Sequence, residues 1–260
     1  MGNMLIKRTN IHGDHNHMKQ VNQRCHDMAV LAQMAYLEGK EAKALAKTVG
    51  YTGHKFFDAE GAQCHVVWNK EEYVMCFRGT EPDQFSDIMA DLNAWPDKGV
   101  NGGRVHNGFQ NEIEKIWEPL KKHYTRSHSK KLLYICGHSL GGAMATVAAY
   151  RMNDIVDGLF TYGSPRVGTR SYIKQITCPH FRHVNNNDIV PSVPPALFGY
   201  KHHGTLRYIN YYGNIRELTW WQRLKDQWRG RWRALKKGVP FDGVYDHGMQ
   251  YYVDYTDKNK

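Results

Sequence analysis

The chain has 260 residues, of which 41% are hydrophobic and 23% charged, so it can bury a large core and is neither disordered nor a coiled coil. Lysine and arginine number 35 against 25 acidic residues, and this net charge of +10 attracts nucleic acid, anionic lipid or acidic partners. The sequence contains no run of about 18 apolar residues, so no membrane span is predicted. The five scattered cysteines indicate neither a disulfide framework nor a zinc site.

The N-terminal residues 1–17 are polar and predict a flexible terminus. They lack the apolar run of a secretory signal peptide, so we expect a cytoplasmic protein or one exported by a route without a cleaved signal. No repeat, linker or composition break divides the rest of the chain. One domain over residues 18–260 is therefore expected.

The predicted elements begin with two helices, one from Met18 to Tyr36 and a short one from Glu41 to Val49. Three short segments rich in aromatic and β-branched residues then predict a β-meander, around 55–58, 63–68 and 72–77. Farther along, helices and strands alternate in this order: a helical face from Phe109 to Leu120, a strand over 131–136, a helix over 140–152, and strands over 158–162 and 181–184. This alternation predicts an α/β fold, with a mostly parallel central sheet covered by helices on both faces.

The sharpest chemical signal is the motif G-x-S-x-G at Gly137 to Gly141, directly after a predicted strand and at the start of a predicted helix. In this context the motif forms a strained turn that exposes the serine, and the flanking glycines let strand and helix approach closely. Ser139 is therefore the candidate nucleophile. The N–H of Leu140, the next residue, is a candidate donor to the oxyanion that forms during acyl transfer.

A serine nucleophile needs a base, and the base needs an orienting carboxylate, in the chain order serine, acid, histidine for this kind of turn. Asp188 lies directly past the strand predicted over 181–184, at the carboxyl edge of a parallel sheet, and is the best candidate acid. Only His202, His203 and His247 follow it. The first two abut a predicted hairpin, so we favour the loop residue His247 as the base.

A second oxyanion donor should come from a loop that follows an earlier strand. The segment Phe77-Arg78-Gly79-Thr80 ends the strand predicted over 72–77. It offers both the N–H and the hydroxyl of Thr80 to the developing negative charge.

Together these motifs resemble the class 3 lipases, whose best-known members are triacylglycerol lipases of filamentous fungi. The resemblance covers about residues 20 to 255 and depends on five ordered motifs: FRGT at 77–80, VHNGF at 105–109, GHSLGGA at 137–143, YGSPRVG at 162–168 and NNNDIVPSVP at 185–194. It implies an α/β-hydrolase fold, a structural role for His203 and no metal or cofactor. The site residues that it implies are Ser139 as nucleophile, Asp188 as acid, His247 as base, Thr80 with Leu140 as the oxyanion hole, and Asp91 as support for the Thr80 hydroxyl.

Lipases of this family carry an amphipathic lid after the oxyanion loop, which implies a lid near residues 82–96 of this chain. The apolar residues of that segment recur at helical spacing, and they are Phe85, Ile88, Met89, Leu92 and Trp95. Such a helix closes an apolar cleft in water and turns its apolar face onto lipid at an interface. An ordinary surface helix is the alternative.

Residues 216–237 form a segment rich in tryptophan and arginine, which we interpret as a helical insertion. The segment carries eight basic and two acidic side chains and four of the chain's seven tryptophans. One predicted helical face holds Trp221, Leu224, Trp228, Trp232 and Leu235. This pattern suits the headgroup region of a membrane or lipid droplet. Packing of the tryptophans on the sheet or on a partner subunit is the alternative, whereas nucleic acid is not an expected partner, because no base-reading scaffold is recognisable.

The expected function is hydrolysis of carboxylic esters with medium or long acyl chains, most simply of triacylglycerols, through an acyl-enzyme and without a cofactor. The expected partner is a lipid or other ester substrate, and the oligomeric state is left open. The alternatives are phospholipase A1, short-chain esterase or polyester hydrolase activity and, more remotely, an inactive membrane-binding protein. The complete set of nucleophile, acid, base and oxyanion donors argues against the last.

Overall fold

The computed structural model describes residues 15–80, 95–236 and 247–260. The helices of these parts are α1 (His15–Met34), α2 (Gly39–Thr48), α3 (Asn107–Ser127), α4 (Leu140–Arg151), α5 (Arg170–Ile173), α6 (Trp220–Lys236) and α7 (Met249–Lys258). The strands are β1 (Gly53–Ala59), β2 (Ala62–Trp68), β3 (Glu72–Phe77), β4 (Asp97–Lys98), β5 (Arg104–Val105), β6 (Leu132–His138), β7 (Val156–Tyr162), β8 (Gly168–Thr169), β9 (His180–Asn185), β10 (Tyr200–Lys201), β11 (Thr205–Ile209) and β12 (Ile215–Arg216).

The central sheet has eight strands in the order β1-β2-β3-β6-β7-β9-β11-β12. Strands β3, β6, β7, β9 and β11 are parallel, whereas β1, β2 and β12 pair antiparallel with their neighbours. The predicted meander and the mostly parallel sheet are confirmed. A small antiparallel sheet, β10-β8-β5-β4, lies beside the central one.

Helices cover both faces of the central sheet, as predicted. On one face α3 and α4 pack on alternate residues of the strands, such as Met75 and Ile135. On the other face α1, α2 and α7 pack on the intervening residues, such as Val74 and Cys136. This alternation explains why the central strands are apolar throughout: both sides of each strand are buried.

Helix α1 begins at His15, three residues before the predicted start at Met18. Residues 15–17 thus form a helical turn inside the segment predicted to be flexible, because an exposed first turn of a helix needs no apolar side chains. None of the helices that the structure describes is long and apolar enough to cross a membrane.

Helix α6 lies against the β11 end of the central sheet through its polar side. The buried carboxylate of Asp226 accepts hydrogen bonds from the Tyr208 hydroxyl (3.1 Å) and the Tyr211 N–H (2.9 Å). The helix backbone also lies close to the loop that follows β9 and carries Asp188, which we call the acid loop. A Cβ on Gly230 would lie 2.4 Å from the Asn187 side-chain amide nitrogen. The tryptophans face outward with exposed fractions of 58 to 65%, and they are Trp220, Trp221, Trp228 and Trp232. The alternative in which α6 packs these residues on the sheet is therefore wrong.

Candidate active site

The serine turn joins β6 to α4 and places Ser139 at the N-cap position of the helix. Its φ of 57° and ψ of −128° lie in a region that non-glycine residues rarely adopt, so the backbone at this position is strained. A Cβ on Gly137 would lie 2.2 Å from the Gly141 carbonyl oxygen, and a Cβ on Gly141 would lie 2.2 Å from the Phe77 carbonyl oxygen. The turn therefore requires glycine at both flanking positions, as the motif predicts.

The candidate acid and the candidate base are in direct contact. The His247 Nδ1 atom lies 2.9 Å from Oδ2 and 3.0 Å from Oδ1 of Asp188, and both residues are buried. When Nδ1–H is donated to this carboxylate, the neutral imidazole carries its lone pair on Nε2. Nε2 is then the atom that can take a proton from a hydroxyl group. The structure thus brings together two residues that the sequence predicts as acid and base and that lie 59 positions apart.

The loop after β3 passes directly over the serine turn. A Cβ on Gly79 would lie 2.5 Å from the His138 carbonyl oxygen and 3.2 Å from the Ser139 Cβ, so only glycine allows this approach. Thr80 is the next residue of the loop, and Leu140 begins α4, where the first N–H groups have no partner within the helix. The two predicted oxyanion donors therefore belong to the two segments that flank Ser139.

This geometry agrees with comparisons to known proteins. The family model for class 3 lipases matches residues 74–198, which include the serine and the acid. Over these residues the chain is similar in sequence to the class 3 lipases. A Rhizopus niveus lipase is 31% identical over 189 residues, 66% of this chain and 46% of that protein. The secreted mono- and diacylglycerol lipase 1 of Fusarium solani is 38% identical over 111 residues, 40% of this chain and 33% of that protein.

The solved structure of a Rhizomucor miehei lipase propeptide complex superposes on this chain with a TM-score of 0.62. The two are 25% identical, and the match covers 73% of this chain and 67% of the other. The fold is therefore the α/β-hydrolase fold that the resemblance implies. The chain spans less than half the length of the curated relatives described above.

The candidate acid Asp188 accepts hydrogen bonds from more donors than the sequence predicts. The Tyr252 hydroxyl donates to Asp188 Oδ2 (2.5 Å), and the Val190 N–H donates to Oδ1 (2.9 Å). The Tyr252 oxygen in turn accepts the Asn185 N–H at 3.0 Å. Tyr252 is fully buried on α7 and fixes the orientation of the carboxylate. Its position five residues after His247, in the helix that begins at Met249, is the signal that could have identified it.

The middle residue of the serine motif also has a place in the site. His138 stacks on His247 with ring centroids 4.5 Å apart and donates its Nε2–H to the His247 carbonyl oxygen (2.7 Å). The Tyr36 hydroxyl lies 2.7 Å from His138 Nδ1 and donates to it. Burial, and then the neighbouring His247, hold the pKa of His138 well below its usual range, which keeps the ring neutral. His138 thus ties the loop of the base to the serine turn.

The predicted lid lies mostly outside the described residues, as do its members Phe85, Ile88, Met89 and Leu92, and so does Asp91. The structure describes Trp95, which is 70% exposed and whose ring lies 4.7 Å from that of Phe198. The lid stays a prediction.

Proposed function

We propose that this chain is a serine hydrolase that cleaves carboxylic esters of acylglycerols, with triacylglycerols as the principal substrates. The observation that carries the proposal is the strained serine turn of Ser139 combined with the buried Asp188–His247 pair. Sequence similarity to a Rhizopus lipase and to a mono- and diacylglycerol lipase supports an oily ester rather than a peptide substrate.

In the proposed mechanism, His247 Nε2 takes the proton of the Ser139 hydroxyl while the oxygen attacks the ester carbonyl carbon. The N–H groups of Thr80 and Leu140 stabilise the negative charge that develops on the carbonyl oxygen. His247 then protonates the departing alcohol, which leaves an acyl-enzyme. Water attacks the acyl-enzyme by the same route and releases the fatty acid, while the Asp188 carboxylate stabilises the imidazolium that forms in each step.

The nucleophile assignment is tested by Ser139→Ala. The hydrolysis of a trioctanoin emulsion should fall by a factor of about 10³ or more, because the attacking oxygen is lost. Titration of the released acid measures the rate, and circular dichroism checks the fold. Ser127→Ala, an exposed serine at the end of α3, is the matched control and should keep full activity. Unchanged hydrolysis by Ser139→Ala would show that another group attacks the ester.

Acyl-chain preference separates the proposed lipase from a short-chain esterase. A lipase should hydrolyse emulsified long-chain triacylglycerols faster than dissolved short-chain esters, and its rate should rise when the substrate exceeds its solubility. An esterase shows neither effect. Rates with triacylglycerols of increasing chain length, below and above their solubility limits, provide this measurement.

We further propose that α6 lies on an anionic lipid surface. Its tryptophans point outward and basic residues flank them in the sequence. This combination supports a position with the rings at the headgroup boundary and the cations near lipid phosphates. The double variant Trp221→Ala and Trp228→Ala should bind phosphatidylglycerol vesicles about tenfold more weakly. Leu132→Ala, an exposed apolar residue at the start of β6, is the control and should bind as the native protein does. Equal binding by all three proteins in a sedimentation assay would contradict the docking surface.

A further inference from the structure

Three arginines line a half-open cavity of about 310 Å³ between α6 and the central sheet, which we call the arginine cavity. Arg182 lies on β9, Arg166 in the loop after β7, and Arg223 in the first turns of α6. Asp188 is the only acidic side chain among the described residues that line it, and Ser139 is not among them. The arginine cavity is therefore distinct from the serine turn, although it shares a wall with the acid loop.

The arginines of the cavity have few partners. Within the part of the chain that the structure describes, neither Arg182 nor Arg223 forms a salt bridge, and the Nε atom of each is buried without an acceptor. Arg166 donates to the carbonyl oxygens of Ser192 and Pro194, and it forms no salt bridge with a described carboxylate. Buried cations are normally paired, because the loss of hydration must be offset by an anion or by several acceptors. Among the residues that the structure describes, no carboxylate forms a salt bridge with an arginine of the cavity.

Asp188 cannot fill this role for all three cations. Its two oxygens already accept hydrogen bonds from His247, Tyr252 and the Val190 N–H. Even when its full negative charge is counted, three guanidinium groups leave a surplus of two positive charges.

The electrostatic state of the cavity agrees with this count. Burial, and then the charges of Arg166 and Arg223, lower the pKa of Arg182 to about 10, so the side chain stays charged at neutral pH. Burial, and then the charges of Arg182 and Arg166, hold the pKa of His202 well below its usual range, so this ring stays neutral. Its Nε2–H donates to the Pro191 carbonyl oxygen at 2.8 Å. The cavity is thus arranged for an anion that accepts hydrogen bonds from arginine.

We propose that the arginine cavity binds a phosphate monoester or inorganic phosphate. A guanidinium group presents parallel N–H donors that match the oxygens of a phosphate, and a phosphate monoester carries a charge of about −1.5 to −2 at pH 7, which balances the surplus. The cavity volume lies at the lower end of the range for small-molecule sites, about 300 to 1,000 Å³. Because this site needs no ester hydrolysis, the proposal goes beyond the proposed function.

The phosphate has two possible sources. Trp220 and Leu224 of α6 also line the cavity, so a lipid headgroup could reach the arginines from a membrane on which α6 lies. Inorganic phosphate in solution has the same chemistry. The two sources are distinguished by experiment.

The first measurement is a calorimetric titration with inorganic phosphate at constant ionic strength. It uses the Ser139→Ala background, so that the result does not depend on whether the protein hydrolyses esters. Saturable binding should weaken at least tenfold in Arg182→Gln and in Arg223→Gln. Arg231→Gln removes the same charge from an exposed position of the same helix and should change the Kd less than twofold. Phosphate should also raise the Tm of the parent protein but not of the two cavity variants.

The second measurement is sedimentation with vesicles of phosphatidylcholine that contain 20% phosphatidate, in the same background. If the headgroup is the ligand, Arg223→Gln should weaken binding at least fivefold relative to Arg231→Gln, and inorganic phosphate should compete only weakly. If free phosphate is the ligand, the titration alone should distinguish the variants. Arg223 lies on the helix surface that faces the cavity, so this variant tests the proposal even if Arg182→Gln fails to fold. Equal behaviour of Arg223→Gln and Arg231→Gln in both measurements would overturn the proposal.

Discussion

At the scale of single residues, Asp188 depends on donors from separate parts of the chain. The candidate base His247 reaches it from the segment before α7, Tyr252 from α7 itself, and the Val190 N–H from its own loop. Hydrogen bonds to a charged acceptor contribute about 1.5 to 3 kcal/mol each, and they also fix the direction of the carboxylate. The orientation of the base therefore depends on a tyrosine that has no chemical role of its own.

Tyr252→Phe should lower kcat for ester hydrolysis about tenfold and leave KM nearly unchanged, because Tyr252 positions the acid and does not touch the substrate. The buried Asn185 N–H also loses its acceptor, so the free energy of unfolding should fall by about 1 to 3 kcal/mol. Steady-state kinetics and urea denaturation measure the two effects. Tyr251→Phe, on the exposed neighbour in α7, should change neither quantity. If the kcat of Tyr252→Phe equalled that of the native protein, Tyr252 would have no positioning role.

At the scale of elements, α6 shows how a helix with exposed tryptophans stays attached to the domain. Its contacts with the sheet and the adjoining loops include polar ones. The Asp226 carboxylate accepts hydrogen bonds from the Tyr208 hydroxyl and the Tyr211 N–H, and Gly230 allows the helix backbone to approach Asn187. Few apolar side chains are needed for this attachment. The apolar stripe is thereby left available for a lipid surface.

Asp226→Ala should detach this helix from the sheet. The Tyr208 hydroxyl and the Tyr211 N–H would lose a buried charged acceptor, so we expect the free energy of unfolding to fall by about 1 to 3 kcal/mol. Protection of the α6 amides from hydrogen exchange should fall at the same time. Lys225→Ala, at the adjacent exposed position, should change stability by less than about 0.5 kcal/mol. Equal stability of the two variants would show that the polar contacts do not hold α6.

At the scale of the whole molecule, buried histidines couple stability to pH. Burial, followed by the neighbouring His54 and Arg78, lowers the pKa of His65 to about 4. Burial, followed by Arg207, lowers that of His183 to about 3. The pKa of His180 is also held well below its usual range, first by burial. These rings are neutral in the folded protein near pH 5, whereas the same residues in the unfolded chain take up protons below about pH 6.5.

Acidification should therefore destabilise the protein. The unfolded state binds more protons than the folded state between about pH 6.5 and pH 4, so the free energy of unfolding falls as the pH falls through this window. Each such histidine should lower the free energy of unfolding at pH 5 by about 2 kcal/mol relative to its value at pH 7.5. Urea denaturation at the two pH values measures the difference, and His183→Gln should make the dependence less steep. Equal stability at pH 5 and pH 7.5 would contradict neutral burial of these residues.

Most of the fold could be predicted because its signals are local. Apolar residues at helical spacing identify the buried face of α3, and the aromatic and β-branched segments identify the strands of the meander. Most predicted element ends differ from the observed ones by one to three residues, as at His15, because terminal turns are exposed and carry no apolar pattern. The predicted face of α3 ends at Leu120, whereas the helix continues for seven more residues to Ser127. The serine turn was also predictable, because the backbone at its two flanking positions leaves no room for a Cβ and therefore requires glycine.

What the sequence by itself determined is therefore the α/β architecture, the serine turn and the identity of the acid and base candidates. Only the tertiary structure decided which distant residues support them, such as Tyr252 on Asp188 and Tyr36 on His138, because contacts between remote segments leave no periodic pattern. The same holds for the arginine cavity, whose three cations come from separate elements. Periodicity placed Trp221, Trp228 and Trp232 on one face of α6, but only the buried Asp226 on the opposite side decided that these three tryptophans point outward.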